Sequence, residues 1–101
     1  MLKIHLVRLS PVYVRRKLAS LAAEIEFVRL KQADIILSTL ADRGTCTFLN
    51  VRRPLVLVCP GSSDMPFSIE QTTSGVPTYF CRIDFLEETI RHVMNVSARD
   101  E

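Results

Sequence analysis

Tryptophan is absent, and glycine and cysteine occur three times each among 101 residues. Three glycines and five prolines without any period exclude collagen-like and low-complexity chains. An odd cysteine count cannot close into a full disulfide framework, which fits a reducing compartment. Apolar runs such as Leu55-Val56-Leu57-Val58-Cys59 fall far short of the roughly 18 residues a membrane span requires. Lys3, His5 and Arg8 interrupt the first apolar stretch, unlike a basic-then-apolar leader, so a cytoplasmic chain without membrane attachment is expected. Charge is balanced as well: 13 Lys and Arg against 11 Asp and Glu leave +2, too little to attract nucleic acid by bulk electrostatics. What remains is ordinary globular material, 48% hydrophobic and 24% charged, enough for one domain.

Residues 3–8 read as a buried strand around Ile4, Leu6 and Val7. Ser10 is a good helix N-cap and Pro11 suits the first helical position. The spacing of Val14, Leu18, Leu21, Ala22 and Ile25 predicts an amphipathic helix after them, which Val28 could prolong. Residues 33–40 form a second strand, Gly44 breaks the chain, and 45–51 make at most a weak helix. Residues 55–59, framed by Pro54 and Pro60, are apolar without alternation, the signature of a strand covered on both faces. Asp64 can cap a short helix reaching about Thr72. Residues 78–82 make a further strand, and Asp84 with Glu87 forms an acidic variant of the capping box before a helix that buries Leu86, Ile90, Val93 and Met94. This alternation predicts an α/β fold with a mostly parallel sheet.

In such sheets function gathers at the carboxyl ends of the strands. No metal, cofactor or catalytic constellation is recognisable there. His5 and His92 have no Cys or carboxylate at metal-ligand spacing, so no metal is expected. Cys46, Cys59 and Cys81 are too scattered for a CxxC pair and read as inert thiols, although Cys59 and Cys81 fall near the ends of neighbouring strands. Asp42 and Asp64 read as turn or capping residues. Ser62 and Ser63 follow Gly61 outside any GxSxG arrangement, and GxGxxG and P-loop patterns are missing.

Taken in order, the segments KIHLVRLSPVYVRRKLASLA, ADIILSTLADRG, PLVLVCPGSSDMPF and SGVPTYFCRIDFLEETIRHV resemble the receiver domain of bacterial response regulators over nearly the whole chain. The resemblance implies a three-layer, flavodoxin-like parallel sheet with helices on both faces, over residues 1–95, with 96–101 as a tail or the start of an output domain. It also marks the positions of the phosphotransfer machinery, and all five depart from it. Arg8 and Leu9 stand where two acidic residues would hold Mg²⁺ through oxygen ligands. Thr39 replaces the phosphoacceptor aspartate, and a hydroxyl cannot form an acyl phosphate. Cys59 replaces the switch hydroxyl, and Arg82 the lysine. The expectation is a pseudo-receiver, not an enzyme and without a cofactor, acting by contact with a protein partner or as a homodimer. By position, the contact face would carry Met65, Phe67 and Ile69 on a short helix, Tyr79 on the last strand, and Arg91 and Met94 on the last helix. The ending Val96-Ser97-Ala98-Arg99-Asp100-Glu101 is similar to the opening of the helix-turn-helix domain of LuxR/NarL-type regulators, which would assign DNA binding to an output domain not present in this chain.

The segment also departs from receivers in architecture. Residues 30–34 are too few for the crossover of a dozen or so residues that joins parallel strands. The sheet is therefore expected to be reduced around the second strand and second helix, with four core strands and an irregular or edge element over residues 24–33 that invites pairing with another chain. The stretch KIHLVRL…RLKQADIILSTLADRG also looks like the region before the DExx motif of superfamily 1 helicases, and KQADIILS like a strand of dinucleotide-binding folds. These resemblances imply the alternative, a nucleotide-binding α/β enzyme fragment, but they cover under half the chain and lack its phosphate-binding residues.

Overall fold

Short apolar runs punctuated by capping residues give alternating strands and helices. The computed structural model describes residues 1–39, 53–59, 67–71 and 77–99. Its order begins with β1 (Leu2–Leu6), α1 (Pro11–Lys17), a 3₁₀ turn (Ala19–Leu21), β2 (Ile25–Phe27), another 3₁₀ turn (Leu30–Gln32) and β3 (Ile35–Thr39). It continues with β4 (Leu55–Cys59), β5 (Phe67–Gln71), β6 (Pro77–Arg82), a 3₁₀ turn (Ile83–Phe85) and α2 (Leu86–Arg99). All strands join one six-stranded sheet in the order β2-β1-β3-β4-β6-β5. Five of them run parallel, and β5 pairs antiparallel with β6. This is an α/β fold, as the alternation predicts. Among the described residues no helix is long and apolar enough to cross a membrane.

Strand alternation divides the interior into two cores. Ile4, Ile35, Leu37, Val56, Tyr79 and Cys81 face one side and are covered by Val14, Leu18 and Leu21 from the first helical segment and by Leu86, Ile90 and Val93 from α2. Ile36, Leu55 and Leu57 face the other side, with Val7, Leu30 and Phe80 packed against them. The unalternating run of β4 is thus buried from both faces, as expected. Each fully buried aliphatic side chain contributes about 2 kcal/mol relative to exposure, so the three residues of α2 anchor it firmly. A polar link joins this helix to the 3₁₀ turn after α1: Ser20 Oγ donates to Glu87 Oε1, which also accepts from Arg91 Nη2 at 3.1 Å. Those two partners hold the Glu87 carboxyl below its ordinary pKa.

The apolar spacing is right for Val14, Leu18 and Leu21, but the helix does not run on. It ends at Lys17, Ala22 is exposed, and Ile25 is buried as the first residue of β2. Residues 24–33 do form an edge element, yet the sheet has six strands, not four. The short crossover works because the strands are staggered. Phe27 at the end of β2 lies level with Ile4, and Ile4 lies level with Ile35 at the start of β3. Residues 28–34 therefore need only sidestep β1, about 10 Å, without climbing back along the sheet. Asp34 secures the landing: its N–H donates to Lys3 C=O at 2.8 Å and its Oδ2 accepts from Lys3 N–H at 2.9 Å.

The expected helix from Asp64 to Thr72 is also corrected, since Phe67–Gln71 is a strand. The sequence Phe67-Ser68-Ile69-Glu70-Gln71 alternates with the period of two that a strand requires, and an antiparallel partner in β6 pairs one side of its backbone. Nor do Asp84 and Glu87 form a capping box. Asp84 lies inside a 3₁₀ turn whose N-cap, Arg82, makes no side-chain capping bond, and Glu87 turns to Ser20 and Arg91. α2 continues past residue 95 to Arg99.

Candidate functional site

A parallel sheet delivers its strand ends to a common edge, and four such ends carry the positions singled out by sequence. The register sets Leu6 level with Leu37, Thr39 with Val58, and Cys59 with Arg82. Arg8, Leu9, Thr39, Cys59 and Arg82 consequently share the carboxyl edge.

Beyond β1 the chain turns sharply. Val7 N–H donates to Leu37 C=O at 3.0 Å, and the buried Ser38 hydroxyl donates to Val7 C=O at 2.9 Å, tying the ends of β1 and β3 together. Arg8 then takes φ 56°, the left-handed region. That conformation costs an arginine about 1–2 kcal/mol. Leu9 is half-buried against the larger core. Ser10 caps α1, accepting from Tyr13 N–H at 3.4 Å.

At the far side of the edge, Arg82 closes β6. Its Nη2 lies 3.5 Å from Asp84 Oδ2, and its Cζ lies 6.0 Å from the Phe85 ring centroid. Its Nε is buried and has no hydrogen-bond partner. Between these arginines, burial pushes the half-buried Cys59 thiol above its usual pKa, opposed by a hydrogen bond from the Cys81 backbone. Cys81, inside the core, is pushed by burial to about 11. Both thiols are free, and strand alternation directs them to opposite faces of the sheet.

Among the described residues no group of three His, Cys, Asp or Glu could hold a metal ion. His5 Nδ1 sits 3.2 Å from Val28 C=O, a structural bond to the chain leaving β2. His92 is half-buried with its ring edge-on to Tyr79, centroids 5.8 Å apart at 72°. Tyr79 itself is 3% exposed in the larger core, which removes it from the expected contact face. The same parity as Cys81 on β6 was the available signal. Arg91 is exposed but engaged with Glu87 and Ser20, and Met94 is half-buried against the core. Phe67 lies on β5 instead of a helix, while Met65, Cys46, Asp42, Asp64, Ser62 and Ser63 fall outside the described residues.

Two open grooves, of about 710 and 570 Å³, flank β2 and share Glu26 and Phe27 as lining. Neither is lined by Thr39, Cys59 or Arg82. β2 is three residues long, with exposed Glu24 just before it and exposed Glu26 at its centre, features that blunt an edge against casual pairing.

Comparison with known proteins adds no relative: no family model, curated protein or solved structure matches the chain.

Proposed function

We propose that the chain is a pseudo-receiver, a flavodoxin-like cytoplasmic module of a signalling or transcription-regulatory protein that works by protein contact instead of phosphotransfer. The strand order carries this reading. With the antiparallel β5 set aside, β2-β1-β3-β4-β6 reproduces the 2-1-3-4-5 order of flavodoxin-like doubly wound sheets. The strand-end positions then hold two arginines, a leucine, a threonine and a cysteine where metal-assisted phosphorylation needs carboxylates and lysine. Contact with a protein partner or a second copy falls to the side of the sheet bearing β5 and α2. Arg91 serves the fold there through Glu87 and Ser20, so the weight of recognition shifts to the β5 edge and the neighbourhood of Met94.

The test is exposure to Mg²⁺ and acetyl phosphate followed by intact mass measurement. The expected result is no phosphoryl adduct, with an association state, read by sedimentation, that is unchanged by the treatment. A stable adduct would defeat the reading.

A further inference from the structure

We propose that the outer edge of β2 takes up an extended segment of a partner protein as a further strand, one that carries a basic residue between two apolar ones. The proposal goes beyond the pseudo-receiver reading and does not rest on it. β2 lies at the opposite edge of the sheet from β5 and uses none of the degenerate phosphotransfer positions.

β2 ends the sheet, and among the described residues only its inner side is paired. Leu2 N–H donates to Glu24 C=O at 2.8 Å, and Val28 N–H donates to Ile4 C=O at 2.9 Å. Residues 24 and 28 thus turn these groups towards β1. Successive residues of a strand alternate in that direction, so the N–H and C=O groups of Ile25 and Phe27 point outward. A strand laid alongside pairs the donor and acceptor of both, which is how peptides are recognised by strand addition. Space for it is present. The grooves of about 710 and 570 Å³ share Glu26 and Phe27, which makes them one trough along the strand. Ile25, Phe27, Met1 and Ala22 give its first part an apolar lining. Phe27 is half-buried, with the Arg15 guanidinium 5.2 Å from its ring centroid.

The inner side shows which sequence β2 accepts. Leu2, Lys3 and Ile4 of β1 stand level with Ile25, Glu26 and Phe27. Residues level with one another share a face, so apolar meets apolar on the α1 side and Lys3 shares the other face with Glu26. Glu26 is exposed, and its carboxylate makes no hydrogen bond or ion pair among the described residues. A partner with the same apolar–basic–apolar order repeats the apolar contacts on the outer side and brings a cation to Glu26. That order reads alike in both directions, so it serves a parallel or an antiparallel strand.

A second copy of β2 fits worse. Antiparallel pairing centred on Glu26 opposes that carboxylate to its own twin, and pairing centred on Ile25 opposes it to Glu24. Centred on Phe27, the pairing sets Ile25 against the charged Arg29. Like charges directly opposite destabilise a sheet. The acidic residues that deter self-pairing therefore select a basic partner.

The full chain would be titrated with the acetylated, amidated peptide Thr-Leu-Lys-Ile-Thr and, separately, with Thr-Leu-Glu-Ile-Thr. Backbone amide resonances and amide hydrogen exchange are the readouts. The lysine peptide should give saturable shifts at Ile25, Glu26 and Phe27. At saturation the outward Ile25 and Phe27 amides should gain protection, while the Val28 amide, already bonded to Ile4, changes little. The glutamate peptide should bind about tenfold more weakly. Glu26→Lys should invert that preference and Glu26→Gln should reduce it. Both replace an exposed side chain, so the melting temperature should stay close to the parent's. Absent or unsaturable shifts, equal binding of the two peptides, or protection gained elsewhere overturns the proposal. Protection of Ile25 and Phe27 that rises with protein concentration in the absence of peptide, with a dimer in sedimentation, assigns the edge to a second copy and overturns it as well.

Discussion

Replacing Tyr79 with alanine separates a core residue from a contact residue. The ring is 3% exposed within the larger core and meets His92 edge-on at 5.8 Å. Truncating a buried aromatic costs about 3–5 kcal/mol, and loss of the aromatic edge contact adds about 0.5–1.5 kcal/mol. A domain of this size has about 5–15 kcal/mol in total, so Tyr79→Ala removes a large share of it. At about 4–8 °C per kcal/mol, the melting temperature should fall by at least about 12 °C. A surface position would move stability by no more than about 0.5 kcal/mol. Urea and thermal unfolding followed by circular dichroism measure the difference, and light scattering on the folded protein reads association in parallel. Tyr79→Phe keeps the ring and should cost only about 1 kcal/mol. If the alanine variant unfolds like the parent while self-association is lost, the ring faces a partner. The β4–β6 register that sets Tyr79 level with Val56 would then be wrong too.

Alkylation at mildly alkaline pH should modify the half-buried Cys59 before Cys81, which becomes reactive only on unfolding; peptide mapping reads the order. Because folding raises the Cys81 pKa from 9.0 to about 11, the native state favours the neutral thiol. Its contribution, about 2–3 kcal/mol, is complete below pH 9 and is lost as pH climbs towards 11. Cys81→Val should therefore show a flatter alkaline decline in stability than the parent. Residues 67–71 should give strand-type carbon shifts and cross-strand nuclear Overhauser contacts between Ile69 and Tyr79, which are level in the pairing; sequential helical contacts instead would restore a helix there.

Much of the fold was legible because burial and period agree locally. Leu55 to Cys59 reads as a two-face strand and is one, and Leu86, Ile90 and Val93 mark the inward stripe of α2. The failures occur where one side-chain spacing serves two geometries. Ile25 continues the helical series of Leu18 and Leu21, yet its burial comes from pairing with Leu2. A capping aspartate at position 64 suggests a helix over Phe67 and Ile69, although their spacing of two belongs to a strand. The stagger between β2 and β3 is a non-local property set by what pairs with β1, and no feature of residues 28–34 announces it. At the candidate site, the residue types at Arg8, Thr39, Cys59 and Arg82 and their common edge follow from the strand assignments. The left-handed backbone of Arg8, the tether from Ser38 to Val7 and the buried Nε of Arg82 depend on neighbours distant in sequence.

The carboxyl edge is chemically independent of the packing beneath it. The larger core is built from Ile4, Leu37, Val56 and Tyr79, each ahead of its strand's end, whereas Arg8 is exposed and Thr39, Cys59 and Arg82 are half-buried. Residues at this edge can therefore change charge without unmaking the sheet, so an α/β scaffold and a metal-binding acidic site are separable properties. On backbone grounds glycine would suit position 8, where it would relieve about 1–2 kcal/mol of left-handed strain. Folding would likewise favour an apolar or fully paired side chain at position 82, where the buried Nε lacks an acceptor.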